Sequence, residues 1–175
     1  PAGGGVELTV TTTDVAARAL VLGDDINTDL LHPPRFFGVT RAAVLPGFLA
    51  GLPPEDAAGF TAGDLLVGGR NFGCGSSRES YVRAFRFAGV SCVIAASFSR
   101  IFYRNLINAG IPAAVHPTLY RDLAPWETVV FHRDDWTLER PAIGETVALT
   151  PPEPHVQRIL AAGGLLRYLG LEAES

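Results

Sequence analysis

The six residues Gly73-Cys74-Gly75-Ser76-Ser77-Arg78 carry the strongest chemical signal in this 175-residue chain. They precede a stretch with helical apolar spacing. The first turn of a helix leaves backbone N–H groups unpartnered at the positive end of its dipole, a natural cradle for a carboxylate or phosphate. Gly73 and Gly75 let the backbone approach a ligand closely, Ser76 and Ser77 add hydroxyls, and Arg78 offers a planar fork matched to a carboxylate. There is no lysine for a phosphate-binding loop, and the glycines do not fall at the dinucleotide-binding spacing, so a small organic anion is the expected ligand. The same residues also fit plain helix capping, because Ser76 and Glu79 stand at capping-box spacing. A serine here can act as a base if amides and a guanidinium stabilise its alkoxide; no histidine is close enough in sequence to suggest an ordinary triad.

A second polar group, Gly23-Asp24-Asp25-Ile26-Asn27-Thr28-Asp29, follows the apolar run Ala19-Leu20-Val21-Leu22 and crowds turn formers with carboxylates. Taken alone, Asp29 reads as a turn or cap residue. Between residues 32 and 54 stand Pro33, Pro34, Pro46, Pro53 and Pro54 with no clean period, which predicts an extended loop around short helical pieces.

The elements that must position these groups follow from periodicity. Strands are expected at 6–10, after a flexible tail at 1–5, and at 19–22 and 65–69. A helix is expected at 78–88 with Gly89 as its stop, then a strand at 90–96, a helix at 99–109 stopped by Gly110, and a strand at 111–115. Short antiparallel strands follow at 128–132, 135–138 and 145–149, and a helical tail at 156–169 is interrupted by Gly163-Gly164. Strands alternating with helices imply a parallel sheet. The expected architecture is α/β, one domain over 1–175, with a mainly parallel core sheet, flanking helices and added antiparallel strands.

Composition narrows the function. With 47% apolar and 18% charged residues the chain has ample material for a core. Its 14 basic residues, all arginines and dispersed, against 18 acidic ones give a net charge of -4, which argues against nucleic acid as partner. No apolar run is long enough to span a bilayer and the opening residues lack a signal-peptide pattern, so no membrane partner and a cytoplasmic location are expected. Cys74 and Cys92 have no neighbouring cysteine or histidine at zinc or iron–sulfur spacing, so no metal or cofactor is expected on this chain.

Several of these segments together resemble the small subunit of 3-isopropylmalate dehydratase: Gly23 through Asp29, Asn71-Phe72-Gly73-Cys74-Gly75-Ser76-Ser77-Arg78-Glu79, Ser97-Phe98-Ser99-Arg100-Ile101-Phe102, Asn105, Asn108-Ala109-Gly110 and Ile159-Leu160-Ala161-Ala162-Gly163-Gly164-Leu165-Leu166. The likeness runs in order from about residue 21 to 169. It implies the swivelling β/β/α domain of the aconitase superfamily. It also implies a large partner subunit carrying a [4Fe–4S] cluster, and a small hydroxy di- or tricarboxylic acid as substrate, dehydrated and rehydrated. By position Ser76 would be the catalytic base, Ser77 and Arg78 would hold a substrate carboxylate, and Asp29 would orient catalytic groups of the large chain.

The resemblance assigns substrate choice to residues 30–40, and there this chain departs from it. Isopropylmalate enzymes commonly have an arginine where Gly38 stands, and a histidine after the Arg-Glu pair where Ser80 stands. Arg35 and Arg41 are the guanidinium groups expected to bind substrate in its place; in aconitases proper a substrate-binding arginine lies about as far past the aspartate as Arg41 does. His32 is the histidine of this loop. Homoaconitase-like substrates, or a non-catalytic anion-binding module that kept the fold, are the alternatives.

Overall fold

The computed structural model describes residues 14–76 and 78–171. Seven strands form one sheet in the order β4-β3-β2-β1-β5-β6-β7. Its parallel half is β1 (Asp14–Val21), β2 (Leu65–Gly68), β3 (Val93–Ala95) and β4 (Ala113–Val115). All residues of β2 and β3 are buried, as unbroken apolar runs covered on both faces must be. The antiparallel half is β5 (Glu127–His132), β6 (Thr137–Arg140) and β7 (Glu145–Ala148). In β5 Val129 and Phe131 face the core while their neighbours do not, the period-2 pattern of a half-covered strand.

β1 is the seam between the halves, parallel to β2 and antiparallel to β5. It is longer than the apolar run at 19–22 predicts because Asp14 through Ala19 pair with His132 through Glu127. Backbone pairing, not side-chain hydrophobicity, makes that extension. The expected strand at 6–10 and the tail at 1–5 lie outside the described residues.

The helices are α1 (Thr28–Leu31), α2 (Arg41–Val44), α3 (Pro54–Ala57), α4 (Glu79–Ala88), α5 (Arg100–Asn108), α6 (Leu119–Asp122), α7 (Pro154–Ala161) and α8 (Leu165–Tyr168). α4 buries Tyr81, Val82, Ala84 and Phe85, and α5 buries Phe102, Leu106 and Ile107, one apolar stripe each at helical spacing. The loop at 32–54 contains α2 and 3-10 turns at Pro34–Phe36 and Leu45–Gly47. None of the described helices is long and apolar enough to cross a membrane.

The Asn108-Ala109-Gly110 and Gly163-Gly164 motifs meet each other. A Cβ on Gly110 would stand 2.4 Å from the Gly163 carbonyl oxygen, and one on Gly164 would stand 2.6 Å from that of Asn108. The end of α5 and the turn between α7 and α8 therefore touch backbone to backbone. These motifs hold the fold together rather than supplying chemistry.

Candidate active site

Two segments leave the carboxyl ends of neighbouring parallel strands, where open α/β sheets present ligand sites, and zip together. Arg70 N–H and its Nη2 donate to Asp24 at 2.7 and 3.0 Å, and Asn71 Nδ2 donates to Asp25 Oδ1 at 2.9 Å. Further along, the Gly73 and Cys74 amides donate to the Ile26 carbonyl at 2.8 and 3.2 Å, Thr28 N–H to the Cys74 carbonyl at 2.8 Å, and Thr28 Oγ1 to the Ser76 carbonyl at 3.1 Å. Hydrogen bonds from the Arg70 backbone and guanidinium hold the Asp24 carboxyl down at about 2. A third segment joins from β3: Ser97 Oγ accepts from Asn71 N–H at 2.8 Å.

This zipper divides the glycine loop into a structural part and a presented part. Gly73 has φ +76 and the place of its missing Cβ is filled by the Phe102 ring, so it faces the core, not a ligand as its type suggested. Its amide and that of Cys74 are bonded to Ile26. Gly75, at φ +95, lies against the Asn27 side chain. Among the described residues nothing accepts from the Gly75 and Ser76 amides, and both residues are exposed. Available amides therefore number fewer than the bare motif implied.

The helix starts at Glu79 with Arg78 as N-cap, in extended conformation at φ -120 and ψ 154 and without a side-chain cap bond. The Ser76–Glu79 capping box does not form, since a capping box needs its serine at the N-cap; Glu79 instead pairs with Arg83 at 3.0 Å. Ser76 is thus left out of the helix with its hydroxyl at the surface. Ser77 lies outside the described residues.

Asp29 is exposed in the first turn of α1, and the cap there is Asn27, whose Oδ1 accepts from Asp29 N–H at 2.8 Å. The Asp29 carboxylate is left to face Tyr81, whose buried hydroxyl stands 3.5 Å from Oδ1, at the outer edge of a hydrogen bond. Thr28, next to Asp29, bonds to the Ser76 carbonyl, and Tyr81, which faces Asp29, also meets Phe37, whose ring lies beside the Arg78 guanidinium. Arg35 is exposed and stacked on its neighbour Phe36, 4.6 Å from the ring centre. Arg41 is not delivered to these residues: its guanidinium lies 5.8 Å from the Phe87 ring centre, in the last turn of α4. Phe87 is nine residues beyond Arg78, or roughly 13 Å of helical rise.

His32 is fully buried, and burial lowers its pKa, which favours the neutral ring. Nε2 faces the Val44 carbonyl at 2.8 Å and carries the proton, leaving Nδ1 as an unpartnered lone pair. His32 is therefore a pin for the loop at 32–54. Among the described residues no group of three or more His, Cys, Asp or Glu is placed to hold a metal, and Cys92 is in the core with its thiol pushed up by burial.

The sequence profile of the Aconitase C-terminal domain matches residues 60–115, which span β2 through β4 of the mixed sheet. A 3-isopropylmalate dehydratase small subunit from Moorella thermoacetica is 37% identical over 166 residues, 92% of this chain and 98% of that protein. The methanogen homoaconitase small subunit of Methanocaldococcus jannaschii is 36% identical over 89% of this chain and 91% of its own length. The crystal structure of a 3-isopropylmalate dehydratase from the same organism superposes with a TM-score of 0.82 at 34% identity, covering 90% of this chain and 93% of that one. The chain belongs to the 3-isopropylmalate dehydratase small-subunit family.

Proposed function

We propose that this chain is the small subunit of a two-chain hydro-lyase that isomerises a hydroxy di- or tricarboxylate by dehydration and rehydration, with 2- and 3-isopropylmalate in leucine biosynthesis as the leading substrates. The observation that carries this reading is that Ser76 and Asp29 lie on the two segments the zipper joins, with Arg78 two residues past Ser76, in a chain 37% identical to a 3-isopropylmalate dehydratase small subunit. The partner is a large subunit that carries the [4Fe–4S] cluster. That cluster supplies Lewis acidity toward the departing hydroxyl.

The residues of this chain divide the remaining work. Arg78 and Ser77 hold a substrate carboxylate, assisted by Arg35. Ser76, as its alkoxide, takes the proton from the carbon beside a carboxylate as hydroxide departs, and returns that proton to carbon when hydroxide re-adds. Its alkoxide is favoured by the Gly75 and Ser76 amides and by the nearby guanidinium. Asp29 orients groups of the large chain.

A homoaconitase-like substrate is the second reading, favoured by one observation: a Cβ at Gly38 would meet Ala43 Cβ at 2.7 Å, so this loop path excludes the arginine usual there. Turnover of isopropylmalate, homocitrate and citrate by the reconstituted pair chooses between them. No turnover of any hydroxy acid refutes the enzyme and leaves an anion-binding module. In the active pair, Ser76→Ala is expected to reduce kcat by about 100-fold or more with assembly intact; unchanged turnover removes Ser76 from the role of base.

A further inference from the structure

Arg78 needs a fixed direction to meet a carboxylate, yet the loop around it provides no acid to fix it. It is exposed, and among the described residues no carboxylate pairs with it. What it touches is a ring: its guanidinium carbon lies 5.3 Å from the centre of Phe37. Phe37 belongs to the loop at 32–54, immediately before Gly38.

That ring is braced on several sides. It stacks on His32 with 3° between planes and centres 6.0 Å apart, and it meets Tyr81 edge to face at 5.4 Å. His32 is itself pinned to the Val44 carbonyl, and Tyr81 is fully buried in α4. The Gly38 carbonyl accepts from Ser80 Oγ and Arg83 Nη1, both at 3.3 Å, which ties the loop to the same helix. A freely rotating arginine loses side-chain entropy on binding, and preorientation reduces that loss. A ring face attracts the cation without neutralising it and leaves its N–H groups for a carboxylate.

We propose that Phe37 is a positioning residue, whose braced ring holds the Arg78 guanidinium in the direction that receives the substrate carboxylate. The residue that aims the shared carboxylate arm is thus part of the loop that selects the acid. This rests on Arg78 being the carboxylate arm of the proposed hydro-lyase.

In the assembled two-chain enzyme, Phe37→Leu is expected to raise KM about fivefold, the scale of one cation–π contact, with kcat changed less than twofold. Phe37→Tyr, which keeps the ring, is expected to retain the original KM. In an Arg78→Gln background, which removes the cation, Phe37→Leu is expected to add little. Unchanged KM in Phe37→Leu, an equal rise in Phe37→Tyr, or a fully additive effect on Arg78→Gln overturns the proposal. In the isotope-labelled full chain, the Arg78 Nε–H resonance is expected to show a ring-current shift in the original and Phe37→Tyr proteins and none in Phe37→Leu; no such shift in the original protein also overturns it. Failure of the hydro-lyase reading shows differently, as an original pair that turns over no hydroxy acid while the ring-current shift persists.

Discussion

Ser80 Oγ donates to the carbonyl of Gly38 at 3.3 Å, so the two positions at which the resemblance leads one to expect other residues are partners across the gap between the loop at 32–54 and α4. Arg83 Nη1 shares the same acceptor at 3.3 Å. A side chain at 38 is shut out by Ala43, and the backbone there is tied down from the helix. The two departures form one local structure rather than two unrelated losses.

Restoring an arginine at 38 is therefore expected to conflict with the loop. Gly38→Arg should destabilise the chain by about 1–3 kcal/mol, the usual cost of overpacking. Ala43→Gly added to it removes the atom at 2.7 Å and should recover much of the loss. Chemical denaturation of the single and double variants measures both; a double variant no better than the single one rejects the clash as the cause.

Gly75→Ala separates catalysis from stability. The residue is exposed at φ +95, and a Cβ would stand 2.9 Å from Asn27 Oδ1, the atom that caps α1. Displacing this loop by about 1 Å is expected to reduce kcat of the assembled pair roughly 100-fold. The unfolding free energy of the chain should fall by only about 1–3 kcal/mol, the scale of local backbone strain. Full activity would mean that the loop position does not govern turnover.

Gly164→Ala should act in the opposite way. Its φ of +123 and a Cβ 2.6 Å from the Asn108 carbonyl oxygen combine strain with a backbone clash. A loss of about 2–4 kcal/mol is expected from the two together. An unfolding midpoint equal to that of the original chain would show that the two turns are not in firm contact.

His132 gives stability a pH dependence. Its Nδ1 lies 2.8 Å from Asp14 Oδ1 on β1 and its Nε2 3.2 Å from Glu139 Oε2 on β6; the Asp14 bond above all, with Glu139 adding, raises its pKa against the opposing effect of burial. A raised folded-state value favours the protonated ring in the native state. The contribution is complete below the ordinary histidine value of about 6.5 and is lost as pH rises through the raised native one. Denaturation midpoints measured between pH 5.5 and 8.5 should fall across that window, and His132→Gln should flatten this part of the curve. An unaltered slope in the variant would assign the dependence to other groups.

The sequence by itself determined the order and kind of the elements from β2 onward except for the short helix α6 (Leu119–Asp122), which no periodicity announced. The apolar runs of β2 and β3, the stripes of α4 and α5, and Gly89 as the stop of α4 depend on neighbours a few residues apart, so periodicity and local backbone preference suffice to reveal them. Local residue types also singled out the loop holding Ser76 and Arg78 as a candidate anion site, whereas Asp29 read locally as a turn residue and entered only through the family resemblance. Tertiary structure decided what each residue faces. Gly73 turned out to serve Phe102, Tyr81 and Phe37 to adjoin the charged groups, and Arg41 to lie at the far end of α4. These relations join residues up to 52 positions apart. They arise because the sheet sets Val21 beside Val67, so the segments leaving β1 and β2 run together; no spacing within either segment encodes that meeting.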